Sequence, residues 1–171
     1  MRHLHNVFTF KGVNLPRKDL FYSDPYFKIF LATGDKIDFQ EVYKSEIINN
    51  TLNPTWKKVY LYYDDQNDTF SFANNHDEPI SFKFEGDINN TTIMIQIWDH
   101  DIKILNMGKD DFMGESKWIS YPTFFIGGPF SLLEENSDEH VKVNGKNSIL
   151  IIENSPNPET MLKLQNQVGL L

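Results

Sequence analysis

The chain has 171 residues, a formal net charge of −8 and no cysteine. This length suits one domain with its own core. Without cysteine there is neither a disulfide framework nor a thiolate metal site, so oxygen or imidazole must supply the ligands of any metal. The negative charge disfavours nucleic acid as a partner, and no apolar run approaches the roughly 18 residues that cross a bilayer. We therefore expect a soluble domain, and the lack of cysteine favours an intracellular one.

Short runs rich in Phe, Tyr, Ile and Val alternate with turns of Asn, Asp, Gly and Pro, which is typical of an all-β sandwich. We predict eight strands, at residues 7–11, 25–31, 41–48, 56–63, 93–98, 114–119, 130–133 and 149–153. Trp56 and Trp98 fall in these strands and are interpreted as core aromatics. Between Asp64 and Asn90, apolar and polar residues alternate, which predicts an inserted hairpin within residues 64–91.

Beyond the last predicted strand the pattern changes. Helical periodicity is expected only in residues 158–171, where leucines and Val168 recur on one side of a short helix. We therefore predict one domain over residues 1–154 and a C-terminal tail or short helix over residues 155–171.

Five aspartates flank two of the predicted loops, and their positions indicate a metal site; they are Asp19, Asp24, Asp99, Asp101 and Asp111. Loops at one end of a sandwich can converge. Carboxylates crowded in this way repel one another and need cations. Calcium accepts roughly six to eight oxygen ligands in irregular geometry, whereas magnesium demands an octahedron. The alternative is that each aspartate only forms a turn, which Asp favours for backbone reasons.

The chain resembles C2 domains in motifs that follow the family's order. These are Val13-Asn14-Leu15-Pro16, Ser23-Asp24-Pro25-Tyr26, Thr51-Leu52-Asn53-Pro54-Thr55-Trp56, Ile97-Trp98-Asp99-His100-Asp101 and Asp111-Phe112-Met113-Gly114. The resemblance implies an eight-stranded antiparallel sandwich with three calcium-binding loops at one end. The position of the last strand is similar to the phospholipase-type (type II) topology of the family.

The resemblance also implies the ligands of two calcium ions. Asp19 and Asp24 would belong to loop one and Asp99, Asp101 and Asp111 to loop three, with the main-chain carbonyls of Lys18 and His100 added. Two departures stand out: Asp19 and Asp24 are one residue closer than usual, and the loop from Asp101 to Asp111 is longer than usual. The first departure could move Asp19 out of reach. The second leaves Asp110 as an alternative to Asp111, which is favoured because Phe-Met-Gly follows it.

Apolar residues at the proposed loop tips predict membrane insertion; they are Leu20, Phe21, Tyr22, Ile102, Ile104, Leu105 and Met107. The alternative is that they tuck inward. Full burial of one large apolar side chain contributes roughly 1.5–3 kcal/mol, so three or four of them would give reversible membrane affinity.

Taken together, the resemblance and the aspartates predict a calcium-dependent phospholipid-binding module that targets a larger protein or complex to membranes in signalling or trafficking. It would be cytoplasmic and become a peripheral membrane protein when calcium binds. The alternative is a calcium-independent protein–protein interaction module of the same fold. We expect no enzyme activity, because no Ser-His-Asp arrangement, phosphate-cradling glycine loop or basic clamp is evident.

Overall fold

The first sheet is built around strand β1 (Arg2–Val13), in which every second side chain from Asn6 to Gly12 is buried. It pairs antiparallel with the last strand on one side and with β4 on the other. The computed structural model describes residues 1–20, 22–33, 39–73, 80–83, 90–101 and 108–156. In these residues the sheet order is β10 (Gly128–Ser131), β13 (Ile149–Pro156), β1, β4 (Val59–Asp64), β5 (Thr69–Ala73) and β6 (Ser81–Phe82).

The second sheet carries the loops in which the aspartates lie. Its order is β3 (Phe39–Lys44), β2 (Pro25–Thr33), β7 (Thr91–Asp99) and β8 (Asp111–Glu115), and β9 (Ile119–Ser120) pairs with the opposite end of β7. All of these pairings are antiparallel. A separate small hairpin joins β11 (Lys142–Val143) to β12 (Lys146–Asn147).

Aromatic rings from both sheets fill the core. The Phe10 ring of β1 lies 4.5 Å from the Phe27 ring of β2, between centroids, and both side chains are fully buried. Trp56 is also in the core, where its indole N–H donates to the Pro25 carbonyl at 3.2 Å. The interpretation of Trp98 as a core aromatic is wrong, because it projects from β7 to the opposite face from buried Ile97.

The prediction of an all-β antiparallel sandwich is confirmed, and each predicted strand has a counterpart among the described residues. Some boundaries differ. The strand predicted at 41–48 ends at Lys44, because the next residue, Ser45, accepts the Phe27 amide on its hydroxyl at 2.8 Å. The strand predicted at 114–119 is two strands, β8 and β9. Phospholipase-type topology stays a prediction, and the predicted helix at 158–171 lies outside the described residues.

A short helix, α1 (Tyr121–Ile126), contradicts the expectation that helical structure would be confined to the tail. Its six residues are too few for a periodic pattern, but its end signals are present in the sequence. Ser120 caps the N-terminus by accepting the Thr123 amide, and a proline follows within the first turn. Gly127 ends the helix with a positive φ of 76° and donates its amide to the Thr123 and Phe124 carbonyls.

Gly127→Ala is expected to lower the free energy of unfolding by roughly 1–3 kcal/mol. A Cβ atom there would lie 2.5 Å from the Ile152 carbonyl oxygen, in addition to the cost of a positive φ. Gly145→Ala is the matched control, because Gly145 has nearly the same φ of 75° and open space around it. Urea unfolding of both variants separates the effect of the contact with Ile152 from the cost of the positive φ. Equal losses of unfolding free energy in the two variants would show that this contact has no effect.

Candidate functional site

Three of the predicted ligand positions meet because their strands are neighbours. Asp99 ends β7, and its Cα is paired with Pro25 of β2 on one side and with Asp111 of β8 on the other. Asp24 directly precedes Pro25. Neighbouring strands lie about 4.8 Å apart. Because these strand ends are adjacent, the sheet brings the two loops together at one end of the sandwich.

An acidic cluster forms where these loops meet. Carboxylate oxygens of Asp19, Asp101 and Asp111 all lie within 4.8 Å of one another. Asp19 and Asp101 are partly buried and Asp111 is exposed. The structure therefore places Asp19 beside the loop-three aspartates even though its spacing from Asp24 is short. We refer to Asp19, Asp101 and Asp111 as the acidic cluster.

Asp99 lies behind the cluster and is fully buried. Its Oδ1 accepts the Asp24 amide at 2.6 Å, but its Oδ2 is buried without a hydrogen-bond partner in the described part of the chain. Burial raises the pKa of Asp99 against the lowering effects of the Asp24 amide and the Ser23 hydroxyl, and the charges of Asp19 and Asp24 raise it further. A buried carboxylate oxygen without a donor is costly unless a cation faces it.

The pKa of Asp101 is also raised, first by burial and then by the negative charges of its neighbours, of which Asp19 and Asp111 contribute most. In the described residues this part of the molecule thus holds mutually repelling carboxylates. A positive ion placed among them would relieve the repulsion.

The remaining predicted ligands lie at the margin of the cluster. Asp24 is partly engaged, because its Oδ1 accepts the Asn50 amide at 2.8 Å. The side chain of Lys18 is exposed, and its amide donates to the Ser23 hydroxyl at 3.2 Å. The His100 amide donates to the Asp24 carbonyl at 3.1 Å. Ligation by the Lys18 and His100 carbonyls stays a prediction.

Asp110 has a positioning role that the sequence did not reveal. Its Oδ2 accepts the Tyr26 hydroxyl at 2.5 Å, and its Oδ1 accepts the Asp101 amide at 3.2 Å. The His100 ring nitrogen Nδ1 lies 3.4 Å from the same Oδ1. Burial alone would raise the pKa of Asp110, but the hydrogen bonds from Tyr26 and Asp101 outweigh it and leave the pKa lowered. Since protein donors occupy both oxygens, Asp111 is better placed than Asp110 to receive a metal.

The loop tips are only partly described. Leu20 and Tyr22 are 87% and 62% exposed, so neither tucks into the core. Phe21 and the loop-three residues Ile102, Ile104, Leu105 and Met107 lie outside the described residues. Within the described ranges, no helix has the length and apolar character that crossing a bilayer requires.

The donor set fits calcium better than a softer metal. The converging groups are carboxylates from two loops and from the start of β8, and the buried carboxylate of Asp99 interacts electrostatically with that of Asp19. Oxygen ligands without thiolates suit hard cations, and carboxylates in an irregular arrangement suit calcium more than magnesium.

Comparison with known proteins identifies the family of the chain. Residues 4–119 match the model of the C2 domain family. Copine-B of Dictyostelium discoideum is 33% identical over 113 residues, which are 64% of this chain and 16% of the copine. Copine-D of the same organism is 47% identical over 60 residues, which are 35% of this chain and 10% of that copine. The chain thus spans less than a fifth of the length of these relatives.

A solved structure shares the fold. The structure described as BON1-C2B superposes with a TM-score of 0.56 at 21% identity, covering 90% of this chain and 92% of that one. At this level of identity the similarity concerns the fold and not the ligand.

Proposed function

Since this chain belongs to the C2 domain family, we propose that it is a calcium-dependent phospholipid-binding module. The observation that carries the proposal is the acidic cluster beside the orphaned Oδ2 of Asp99. Carboxylates held together by neighbouring strands cannot easily move apart, so a divalent cation is the simplest source of neutralisation.

Each group has a distinct part in this proposal. Asp19, Asp101 and Asp111 would hold the ion or the two ions at the surface, and Asp99 would contribute from behind. Bound calcium would neutralise the acidic cluster and leave coordination positions for lipid phosphate oxygens. Asp110 positions the loop by fixing the Asp101 amide, and Leu20 and Tyr22 present apolar surface to the bilayer.

The domain is proposed to act as a binding module and not as an enzyme, recruited from the cytoplasm to the membrane surface. Its relatives are several times longer than the matching stretch, which supports a role in targeting a larger protein. Binding of the highly negative phosphoinositide headgroups requires positively charged side chains on the sheet. Lys28 of β2 is already paired with Glu41, at 3.4 Å between Nζ and Oε2, so we expect only a weak preference for phosphoinositides.

The test is co-sedimentation of the purified chain with neutral and anionic liposomes, in calcium and in chelator. Wild type is expected to sediment only with calcium, and the Asp99→Asn, Asp101→Asn double variant is expected to lose this binding. Glu134→Gln, Glu139→Gln is the control that removes the same charge from two exposed residues outside the cluster. Equal sedimentation in calcium and chelator would contradict the calcium mechanism.

Leu20→Ala is expected to weaken calcium-dependent liposome binding by about tenfold without changing the stability of the fold, because an exposed leucine can bury its side chain only in the bilayer. Ile126→Ala is the matched control. Ile126 is 83% exposed and ends α1, which contacts β9 at the end of β7 away from Asp99. Vesicle titration measures both variants, and a similar loss for both would argue against insertion of loop one.

A further inference from the structure

A groove of about 580 Å³ lies on the outer face of the second sheet. Met94 and Gln96 of β7 and Glu115 of β8 form its floor. Phe39 and Trp118 line one part, and the turn at 135–138 lines another. Glu115 and Asp111 are at opposite ends of β8, and the groove lining contains none of the three residues of the acidic cluster. The groove is therefore separate from the acidic cluster.

The aromatic part of the groove is accessible. Phe39 is 53% exposed, and its ring centroid lies 5.9 Å from that of Trp118 at an interplanar angle of 60°. Phe30 supports Phe39 from beneath with an edge contact at 5.5 Å. Trp118 is half-buried beside the exposed Phe39. Together the two rings offer a surface for apolar side chains and for the flat guanidinium of arginine.

The charge of the groove is negative. Its lining contains three carboxylates, from Glu115, Glu135 and Asp138, and one ammonium, from Lys117. Glu115 is only 7% exposed, and its two oxygens accept hydrogen bonds from the Gln96 side chain and the Asn136 amide, each at 3.0 Å. Both donors are neutral, so they fix the carboxylate in place without cancelling its charge.

We propose that this groove binds an extended basic segment of a partner protein, with an arginine side chain packed against the aromatic pair of Trp118 and Phe39 and directed at the carboxylates. Charge complementarity selects this occupant, because a negative lining repels anionic lipid and attracts arginine. This interaction needs no calcium. It goes beyond the proposed lipid binding and would let the domain hold a partner while its loops contact a membrane.

The probe is a fluorescein-labelled 12-residue peptide of alternating arginine and leucine, compared with a peptide in which glutamine replaces arginine. Binding is measured by fluorescence polarisation in chelator, at low and moderate salt, and the indole N–H signal of Trp118 is followed by NMR. The test variant is Glu135→Gln, Asp138→Asn. The control is Glu134→Gln, Glu139→Gln, which removes the same charge from the same turn outside the groove lining.

The arginine peptide is expected to bind about tenfold more weakly to the test variant and equally well to the control and to Asp101→Asn. The Trp118 signal is expected to shift with the arginine peptide alone, and calcium-dependent liposome binding is expected to survive in the test variant. Equal weakening by the control, or loss of binding in Asp101→Asn, would overturn the proposal in favour of general acidic attraction. A Trp118 shift with phosphocholine but not with the arginine peptide would overturn it in favour of a lipid headgroup.

Discussion

Calcium is expected to raise the midpoint of thermal unfolding of this chain by about 5–10 °C, and Asp101→Asn is expected to remove most of that rise. A ligand at about a hundred times its dissociation constant stabilises the folded state by about 2.7 kcal/mol. A domain of this size gains about 2–4 °C for each kcal/mol. The measurement is thermal unfolding followed by circular dichroism, with calcium and with chelator.

The same variant is expected to unfold at a higher temperature than wild type when calcium is absent. Since the pKa of Asp101 is raised in the folded chain, its ionised form is disfavoured there, and a neutral amide relieves the repulsion. Glu134→Gln is the control and should leave both midpoints unchanged. A lower calcium-free midpoint for Asp101→Asn would show that the cluster is not under repulsion.

Phe10→Ala is expected to lower the free energy of unfolding by about 3–5 kcal/mol. Phe10 is fully buried and joins the two sheets through Phe27, and its ring also lies 6.4 Å from that of Phe124 in α1. Its loss would leave a cavity that strands of both sheets border. Since small domains are stable by only about 5–15 kcal/mol, the variant should be severely destabilised.

Urea unfolding measures this loss. The matched control is Phe39→Ala, because Phe39 is half exposed on the outer face, and its loss should cost less than about 1 kcal/mol. Similar losses for the two variants would mean that the contact between the sheets contributes little to stability.

The fold was predictable because the strands that matter most carry regular signals. β1 alternates between buried and partly exposed residues from Asn6 onward, and β2 and β7 are rich in large apolar residues. The outward direction of Trp98 was not predictable from residue type, since a tryptophan in a strand suggests burial. Its neighbours Ile97 and Asp99 occupy the inner face, so the alternation and not the residue type decides the direction.

The sequence indicated that aspartates of two loops meet, but it did not indicate their hydrogen bonds. The spacing of the aspartates along the chain identified the loops, but it did not indicate that Asp110 uses both oxygens for protein donors while Asp111 keeps its carboxylate beside Asp101. That distinction depends on the Tyr26 hydroxyl, which is 84 residues away in the sequence. Contacts of this range follow from sheet order, and a local motif does not encode them.

The hydrogen bond from the Asp101 amide to Asp110 Oδ1 joins the two ends of loop three. Because this bond joins Asp101 to Asp110, we expect sequence changes within residues 102–107 to leave the separation of these two aspartates largely unchanged. Metal affinity and membrane preference would then be separable traits. If the domain binds calcium and membrane as proposed, substitutions within residues 102–107 could change its membrane preference in evolution without changing its calcium affinity.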